Sequence, residues 1–324
     1  MEKFLFITHD NLDAYFNLAS EEYLLKQKEG YYVYLWQNEN SVIIGINQNA
    51  YNEVNLDYAE KNNVKIVRRL TGGGAVYHDK FNLNYTIIAP YNETENAYVK
   101  FSAPVIEYLN SLGVEAKFSG RNDIVIGDKK ISGNAQTVYK NRILHHGTLL
   151  FSSNMNALSG ALKENKLKIE NKGIKSIRAR VTNISEHLDR EMTITEFKNG
   201  LAEFFKKDSK GYQFTSQDIA EIERLKKEKY STFEWNIGSS PKGKINFIEK
   251  FDFGIFNLVF DIEKGKMHNV NLFGDFFCKK DVKGLIDKLE GVEFSKISLL
   301  KALAGVGEYI VNADCEQIVD RIFK

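Results

Sequence analysis

Residues 68–79 read Arg-Arg-Leu-Thr-Gly-Gly-Gly-Ala-Val-Tyr-His-Asp, directly after a strand-like run at 64–67. Three consecutive glycines permit positive φ and let a ligand approach main-chain N–H groups with no Cβ in the way. No Gly-Lys-Ser/Thr closes the segment, and its spacing differs from a dinucleotide-binding fingerprint, so P-loop and Rossmann interpretations fail. A glycine-rich hairpin flanked by surface arginines remains the alternative to a ligand-binding loop.

The segments around this glycine loop predict a sheet flanked by helices. Helical spacing of apolar residues predicts helices at 17–28, 53–61 and 98–112. Short runs rich in β-branched and aromatic residues predict strands at 32–36, 41–45, 64–69, 83–89 and 124–126. With hairpin-sized connections, this order predicts the α+β class with a mixed or antiparallel sheet.

The second half of the chain predicts further helices and a small separate unit. Helical patterns cover 156–167, 195–205 and 216–229, and residues 235–244 contain Pro241 and several glycines and serines. We therefore predict two domains, 1–243 and 244–324. In the second, an α+β unit, we predict a strand over 244–261, a turn at Gly265, a strand over 267–273 and helices at 282–289 and 297–303.

Composition excludes several classes of protein. The 324 residues, 43% hydrophobic and 27% charged, exclude disorder and coiled coil for the whole chain. A net charge of +1 gives no global reason to expect nucleic acid or anionic membrane as a partner. Two cysteines, Cys278 and Cys315, indicate a reducing compartment, and no apolar run is long enough to span a bilayer. We predict a cytoplasmic protein.

Residues 120–136 contain a predicted hairpin whose two-residue loop is Gly127-Asp128. Counting back from the loop places Val125 opposite Lys130 and Asp123 opposite Ser132. Because side chains alternate between faces, Lys130 shares a face with a carboxylate and a hydroxyl, as a site lysine should, whereas Lys129 lies beside isoleucines. A lysine in a hairpin is more often a solvated surface residue, and that alternative stays open.

Two further segments carry candidate site residues. His145 and His146 are adjacent in a strand-like run, so they point to opposite faces, at most one faces a site, and they do not form a metal pair. Residues 172–180 hold four cations among aliphatic residues. This second segment is open to three interpretations: a nucleic-acid contact, a solvated loop or a phosphate-binding loop.

Six motifs in order resemble the lipoate-protein ligase A family. After the Thr-Gly-Gly-Gly loop come Asn-Leu-Asn (82–84), Gly-Arg-Asn-Asp (120–123), Lys-Ile-Ser-Gly-Asn-Ala-Gln (130–136), His-His-Gly-Thr-Leu (145–149) and Arg-Val-Thr-Asn (180–183). The match runs from residue 17 to 183 and resumes at 271–277, which is similar to the Gly-Asp-Phe-Phe segment of that family's C-terminal accessory domain. The resemblance implies a biotin/lipoate-ligase-like catalytic domain over 1–243, with mixed or antiparallel sheets flanked by helices, and a small accessory domain over 244–324.

The resemblance also implies an activity. Such enzymes use ATP and Mg²⁺ to convert lipoate into lipoyl-AMP and pyrophosphate. They then transfer the lipoyl group to a lysine of a carrier domain, on a 2-oxoacid dehydrogenase E2 subunit or the glycine cleavage H protein. We expect a lipoate-salvage ligase that acts as a monomer.

Site residues follow from the same resemblance. Lys130 is implied as the catalytic cation between carboxylate and α-phosphate, and Asp123 as the Mg²⁺ ligand. His146 rather than His145 matches the site-facing histidine. The implied substrate- and nucleotide-binding residues are Arg69, Gly72, Gly73, Gly74, Val76, Tyr77, His78, Asn82, Asn84, Asn122, Ser132, His146, Thr148, Arg178 and Arg180.

Departures from the family pattern bear on acyl preference. Ile46 replaces a common basic residue, Phe81 replaces a glycine, and Ala179 replaces a common serine. The aliphatic side chain of Ile46 could reshape the acyl pocket.

Three other functions compete with the ligase. One is an acyl-transferring relative without ATP chemistry, of the octanoyltransferase or amidotransferase type. The amidotransferase type needs a cysteine nucleophile near the core motifs, and neither cysteine lies there. A biotin ligase has a different glycine loop, and a nonenzymatic binding module would require a broken site.

Overall fold

The computed structural model describes residues 4–162, 180–207, 209–238, 245–263 and 266–323. Eleven strands of the larger part are β1 Phe4–Thr8, β2 Tyr32–Trp36, β3 Ser41–Ile44, β4 Lys65–Arg68, β5 Val76–His78, β6 Asn82–Pro90, β7 Ala116–Ser119, β8 Asp123–Ile126, β9 Lys129–Tyr139, β10 Arg142–Leu150 and β11 Ser209–Gly211. Its described α-helices are α1 Ala14–Lys26, α2 Ala50–Glu53, α3 Leu56–Lys61, α4 Ala97–Ser111, α5 Met155–Ala161, α6 Ile194–Lys206 and α7 Ser216–Leu225.

The strands form two mixed sheets. Eight strands take the order β11-β1-β2-β6-β10-β9-β8-β7, in which β1 runs parallel to β2 and β11 and the other pairs are antiparallel. A three-stranded sheet, β4-β3-β5, combines one parallel and one antiparallel pair. The predicted α+β class with a mixed sheet is confirmed.

Strand alternation gives the large sheet two apolar faces. Val33 and Leu35 of β2 pack with α4 and α6 on one side, whereas Tyr34 and Trp36 pack with α1 on the other. Helix α1 begins at Ala14, three residues before the predicted start, because the Asp13 side chain accepts the Tyr15 N–H and caps it. The candidate site lies on the α1 side.

The C-terminal part has a hydrophobic core of its own. Three antiparallel strands, β12 Ile245–Phe251, β13 Gly254–Glu263 and β14 Lys266–Gly274, pack with α8 Lys283–Leu289, α9 Lys296–Ala302 and α10 Cys315–Ile322. The predicted single strand over 244–261 is wrong: the chain reverses at 252–253, where Gly254 takes φ +128°. The predicted turn at Gly265 lies outside the described residues.

Two predicted segments end differently in the structure. Helix α5 ends at Ala161, and Leu162 then pairs with Val54, while residues 163–167 of the predicted helix lie outside the described residues. In the Pro/Gly/Ser-containing segment 235–244, from which the domain boundary was predicted, Trp235 and Asn236 belong to the large unit. The boundary at 243/244 falls among residues the structure does not describe and stays a prediction.

Within the described ranges, no helix combines the length and apolar character needed to cross a bilayer.

Candidate active site

A cavity opens on the α1 side of the large sheet, with an empty volume of about 620 Å³ that includes its mouth. Its wall combines apolar side chains, glycines and a few polar groups. The lining residues are Leu18, Trp36, Ile43, Arg69, Gly73, Gly74, Ala75, Val76, His78, Asn84, Asn122, Lys130, Gly133, Asn134, Ala135, His146, Gly147 and Thr148.

The cavity runs across the strands rather than along them. Trp36 of β2 pairs with Asn84 of β6, which pairs with Thr148 of β10. The Gly133 N–H of β9 donates to Thr148 Oγ1 at 3.3 Å, which continues the row. Three strand spacings separate the ends, about 14 Å. The Gly133 end holds the ammonium of Lys130, and the other end holds aromatic rings.

Arg69 fixes the glycine loop from inside the protein. Its guanidinium donates to the carbonyls of Gly72 at 2.6 Å and Gly74 at 2.9 Å, and to Thr71 Oγ1 at 2.8 Å. Gly73 has φ +94°, as the loop's glycines suggested. Burial lowers the pKa of Arg69 to about 10. These hydrogen bonds fix the backbone of the loop against the Arg69 side chain.

Arg68 joins the loop to the segment after α7. Its side chain, 2% exposed, donates to the carbonyls of Gly45, Gln48 and Trp235 at 3.0, 2.6 and 3.0 Å. The Asn236 side chain accepts the Arg68 N–H at 2.8 Å. Two adjacent arginines thus brace the backbone around the cavity, a role that their surface-like sequence context did not suggest.

Lys130 lies where the hairpin prediction placed it, but the register differs beyond it. Val125 pairs with Lys130 as predicted, and Lys130 Nζ lies 2.7 Å from Asp123 Oδ1. A bulge at Ile131 then places Asp123 opposite Gly133, so the predicted pairing of Asp123 with Ser132 is wrong. Ser132 consequently turns away from the cavity and is fully buried.

The two histidines of β10 face opposite sides, as predicted. His146 lines the cavity, with Nε2 2.8 Å from Thr71 Oγ1 and Nδ1 2.9 Å from Glu21 Oε1. His145 lies in the core on the other face, against Gln136 and Tyr85. Glu21, 2% exposed on α1, is a site residue that sequence reasoning missed.

The predicted site residues divide into two groups, those that line the cavity and those that do not. Arg69, Gly73, Gly74, Val76, His78, Asn84, Asn122, Lys130, His146 and Thr148 come together in the cavity wall. Six do not line it: Gly72, Tyr77, Asn82, Asp123, Ser132 and Arg180. Of these, Asp123 still contacts Lys130, and exposed Arg180 precedes Val181, which pairs with the Lys130 backbone. Arg178 lies outside the described residues.

Comparison with known proteins assigns the chain that forms this cavity to a family. Residues 13–206 match the lipoyl protein ligase A/B catalytic domain, and residues 240–322 match the bacterial lipoate protein ligase C-terminus. Lipoate-protein ligase LplJ of Bacillus subtilis is 43% identical over 98% of this chain and 100% of its own length. The chain belongs to the lipoyl protein ligase A/B family.

Solved structures agree with that assignment. The lipoate complex of P. falciparum LipL1 has a TM-score of 0.79 at 28% identity and covers 98% of this chain and 97% of its own. A bipartite ligase of Thermoplasma acidophilum, described with its E2 lipoyl domain, has a TM-score of 0.65 at 31% identity over 76% and 100%. An ATP-bound lipoate-protein ligase A has a TM-score of 0.63 at 29% identity over 74% and 99%.

Buried histidines make the ligase sensitive to mild acid. Burial lowers the pKa of His78 and of His145 to about 3. Both rings stay neutral in the folded chain, whereas the unfolded chain protonates them below about pH 6.5. The free energy of unfolding therefore falls as the pH falls below 6.5, by about 1.4 kcal/mol per pH unit for each ring. We expect a lower urea midpoint at about pH 5 than at about pH 7, and a smaller difference in His145→Phe. Equal midpoints would contradict this.

Because Gly133 has no side chain, the end of the Lys130 side chain can pack directly against it in this lipoate ligase. A Cβ at Gly133 would lie 2.7 Å from Lys130 Nζ and 2.9 Å from its Cε. We expect Gly133→Ala to displace the ammonium and lower kcat about tenfold or more with a smaller change in KM, since a misplaced charge acts mainly on the transition state. Gly211→Ala on β11, where nothing lies within 4 Å of a built Cβ, is the control. Unchanged kcat in steady-state assays of Gly133→Ala would contradict it.

The C-terminal unit of the ligase contacts the rim of the cavity. Arg121 lies 4.2 Å from the Phe277 ring centroid and donates to the Phe253 carbonyl at 3.3 Å. A Cβ at Gly72 would lie 2.7 Å from the Phe276 carbonyl oxygen, so this glycine serves domain packing. The loop that lines the cavity is therefore also the surface on which the second unit rests.

We expect a chain ending at residue 243 to lose adenylate formation more than transfer from supplied lipoyl-adenylate. Activation needs water excluded from the mixed anhydride, whereas transfer needs an amine positioned at a preformed acyl group. The two half-reactions, assayed separately, test this. Arg121→Ala in the full chain should also lower adenylate formation more than transfer, and both losses should be smaller than in the truncated chain. Insolubility or equal loss of both would mean that the second unit only covers apolar surface.

Proposed function

We propose that the enzyme activates lipoate with ATP to give lipoyl-AMP and pyrophosphate and then transfers the lipoyl group to a lysine of a lipoyl carrier domain. One observation carries the proposal. Among the described residues, the cavity of this ligase-family chain has a single ammonium, that of Lys130, at one end and an apolar, aromatic wall at the other. That polarity suits a carboxylic acid with a long apolar tail.

The dimensions of the cavity fit the same substrate. An extended eight-carbon acyl chain advances about 1.25 Å per bond, so lipoate is about 10 Å long with its ring. The row from Gly133 to Trp36 spans about 14 Å. With its carboxylate at Lys130, lipoate therefore lies over β9, β10 and β6, and its ring reaches Trp36.

Lys130 supports the first step by placing a cation between two anions. A carboxylate oxygen attacks the α-phosphorus, the bond from that phosphorus to the bridging oxygen breaks, and pyrophosphate leaves. Two like charges about 4 Å apart repel by about 4 kcal/mol at an intermediate dielectric constant, and a cation between them offsets this. In the second step the carrier amine attacks the acyl carbon, AMP leaves and the amine loses a proton.

Asp123 is the residue we propose for Mg²⁺. Within the described ranges no group of three or more histidine, cysteine or acidic side chains forms a metal cage. Mg²⁺ that arrives with a nucleotide needs only one or two carboxylates, because phosphates and water complete its shell. Asp123, 35% exposed beside Lys130, fits that single-carboxylate role. When bound, the metal would neutralise phosphate charge.

Asn122 and the segment after residue 179 are proposed to face the nucleotide. Asn122 lines the cavity near Lys130, and its side chain donates to the Asn134 carbonyl at 2.7 Å. The Thr182 N–H donates to the Lys130 carbonyl at 3.0 Å, so exposed Arg180 lies close to the same end. We propose that Arg180, and with it Arg178, binds phosphate there.

We further propose lipoyl domains of E2 subunits and the glycine cleavage H protein as acceptors for a monomeric, cytoplasmic enzyme that salvages lipoate. The T. acidophilum ligase, described with its E2 lipoyl domain, supports the first acceptor.

The two departures from the family pattern at Ile46 and Phe81 do not narrow the acyl site. Both residues lie outside the cavity lining, and Phe81 is 40% exposed.

A cysteine-dependent acyl transfer has less support. Cys278 and Cys315 lie in the C-terminal unit, outside the cavity lining. The Cys278 thiol accepts the Asn47 side-chain N–H at 2.9 Å.

Pyrophosphate release tests the proposed activation step. We expect release from ATP when lipoate is added and none without it, before any acceptor is supplied. Release that does not depend on the acid would refute adenylation, and absence of release together with acyl transfer from a carrier thioester would favour the ATP-independent reaction.

A further inference from the structure

Two buried side-chain donors at the aromatic end of the cavity have no hydrogen-bond partner among the described residues. They are Nε2 of His78 and Nδ2 of Asn84. Both residues line the cavity and are 2% and 1% exposed. A buried unpaired donor costs about as much as a lost hydrogen bond, so it signals a missing partner.

The hydrogen-bond network fixes which nitrogen of His78 carries the proton. Asn17 Nδ2 donates to Asn38 Oδ1 at 2.9 Å, which leaves Asn38 Nδ2 as the group that faces His78 Nδ1 at 3.1 Å. Nδ1 is therefore the acceptor. Burial lowers the pKa of His78 to about 3, so the ring is neutral and its one proton lies on Nε2.

The position of these donors relative to the substrate follows from the row across the sheet. Asn84 lies beside Trp36, and the His78 ring centroid is 6.1 Å from that of Trp36. Lys130 holds the opposite end. A substrate whose carboxylate lies at Lys130 therefore brings the far end of its acyl chain to His78 and Asn84.

Resting on the proposed function, we propose that His78 and Asn84 are specificity determinants that select the sulfur-bearing ring of lipoate over an all-carbon acyl chain. Thioether-like sulfur is a weak hydrogen-bond acceptor, and two adjacent sulfurs present two acceptors to two donors. A methylene group presents none. An all-carbon acid of the same length would fill the cavity and leave both donors buried and unpaired, which a polar site penalises.

The wild-type enzyme tests this with matched acids. The probes are lipoate and 5-cyclopentylpentanoate, whose ring has the same number of atoms but no sulfur. We expect kcat/KM for acid-dependent pyrophosphate release to favour lipoate about tenfold or more. Equal values for the two acids in the wild-type enzyme would overturn the proposal without the use of any variant.

Variants then assign the preference to the donors. His78→Phe keeps an aromatic ring and removes the N–H, and Asn84→Leu removes the amide at similar size. Each should lower the ratio of lipoate to cyclopentylpentanoate several-fold, mainly by loss of lipoate use. Ile43→Val trims the apolar wall without changing a donor and should affect both acids alike, so its ratio should match wild type.

The outcomes separate this inference from the proposed function. Absence of pyrophosphate release with any acid refutes adenylation itself. Release with both acids at an unchanged ratio in His78→Phe and Asn84→Leu refutes only the selection of sulfur. His78→Phe leaves Asn38 Nδ2 unpaired, and if that variant does not fold, the wild-type ratio and Asn84→Leu decide.

Discussion

Lys130→Ala should reduce lipoate-dependent pyrophosphate release by about a thousandfold or more. The substitution removes the one ammonium that the described residues bring to the cavity wall, at the place proposed for the meeting of carboxylate and α-phosphate. It also leaves Asp123, whose Oδ1 lies 2.7 Å from Lys130 Nζ, as an uncompensated negative charge beside the incoming anions. Both effects raise the activation barrier of the adenylation step.

The neighbouring lysine supplies the control for this prediction. Lys129 is exposed, does not line the cavity and stands in the same hairpin. Lys129→Ala should keep pyrophosphate release within about twofold of wild type, because exposed charges contribute little. Equal loss in the two variants would mean that hairpin integrity, rather than the Lys130 charge, limits the reaction.

Gly73→Val should abolish lipoate binding while leaving the fold intact. Gly73 has φ +94°, where a β-branched residue is strained by about 1–3 kcal/mol. Its new Cβ would lie 3.0 Å from Arg69 Nη2, the group that holds the Gly72 and Gly74 carbonyls, and the rest of the side chain adds bulk to a residue of the cavity wall. Calorimetric titration with lipoate should show no measurable binding.

A second glycine separates strain from loss of the site. Gly291 has φ +74° with nothing within 4 Å of a built Cβ, and it lies in the C-terminal unit. Gly291→Val should lower thermal stability by a similar strain and keep lipoate affinity. Near-normal affinity in Gly73→Val would remove the loop from the acyl site.

Much of the fold was predictable because strands and helices leave a period in the sequence. Strand β2 matched its predicted range, since five consecutive β-branched, aromatic and aliphatic residues have few alternatives. His145 and His146 separated as alternation requires. The same rule would have removed Tyr77 from the list of site residues, because Val76 and His78 face the cavity and Tyr77 donates to Asn40 elsewhere.

Other features left no local signal. The bulge at Ile131 moves Ser132 out of the site, yet nothing in the residues 129–133 marks an extra residue. Glu21 reads as an ordinary polar position on a helix, and only the packing of α1 against β10 brings it to His146. Long-range pairing fixes both, so a single sequence could not reveal them.

The mass of a carrier domain after one turnover tests the central claim most directly. The wild-type enzyme, ATP, lipoate and an E2 lipoyl domain should yield a carrier heavier by one lipoyl group on one lysine, and Lys130→Ala should yield it only when lipoyl-adenylate is supplied. An unmodified carrier with the wild-type enzyme, or full modification by Lys130→Ala from free lipoate and ATP, would contradict the account.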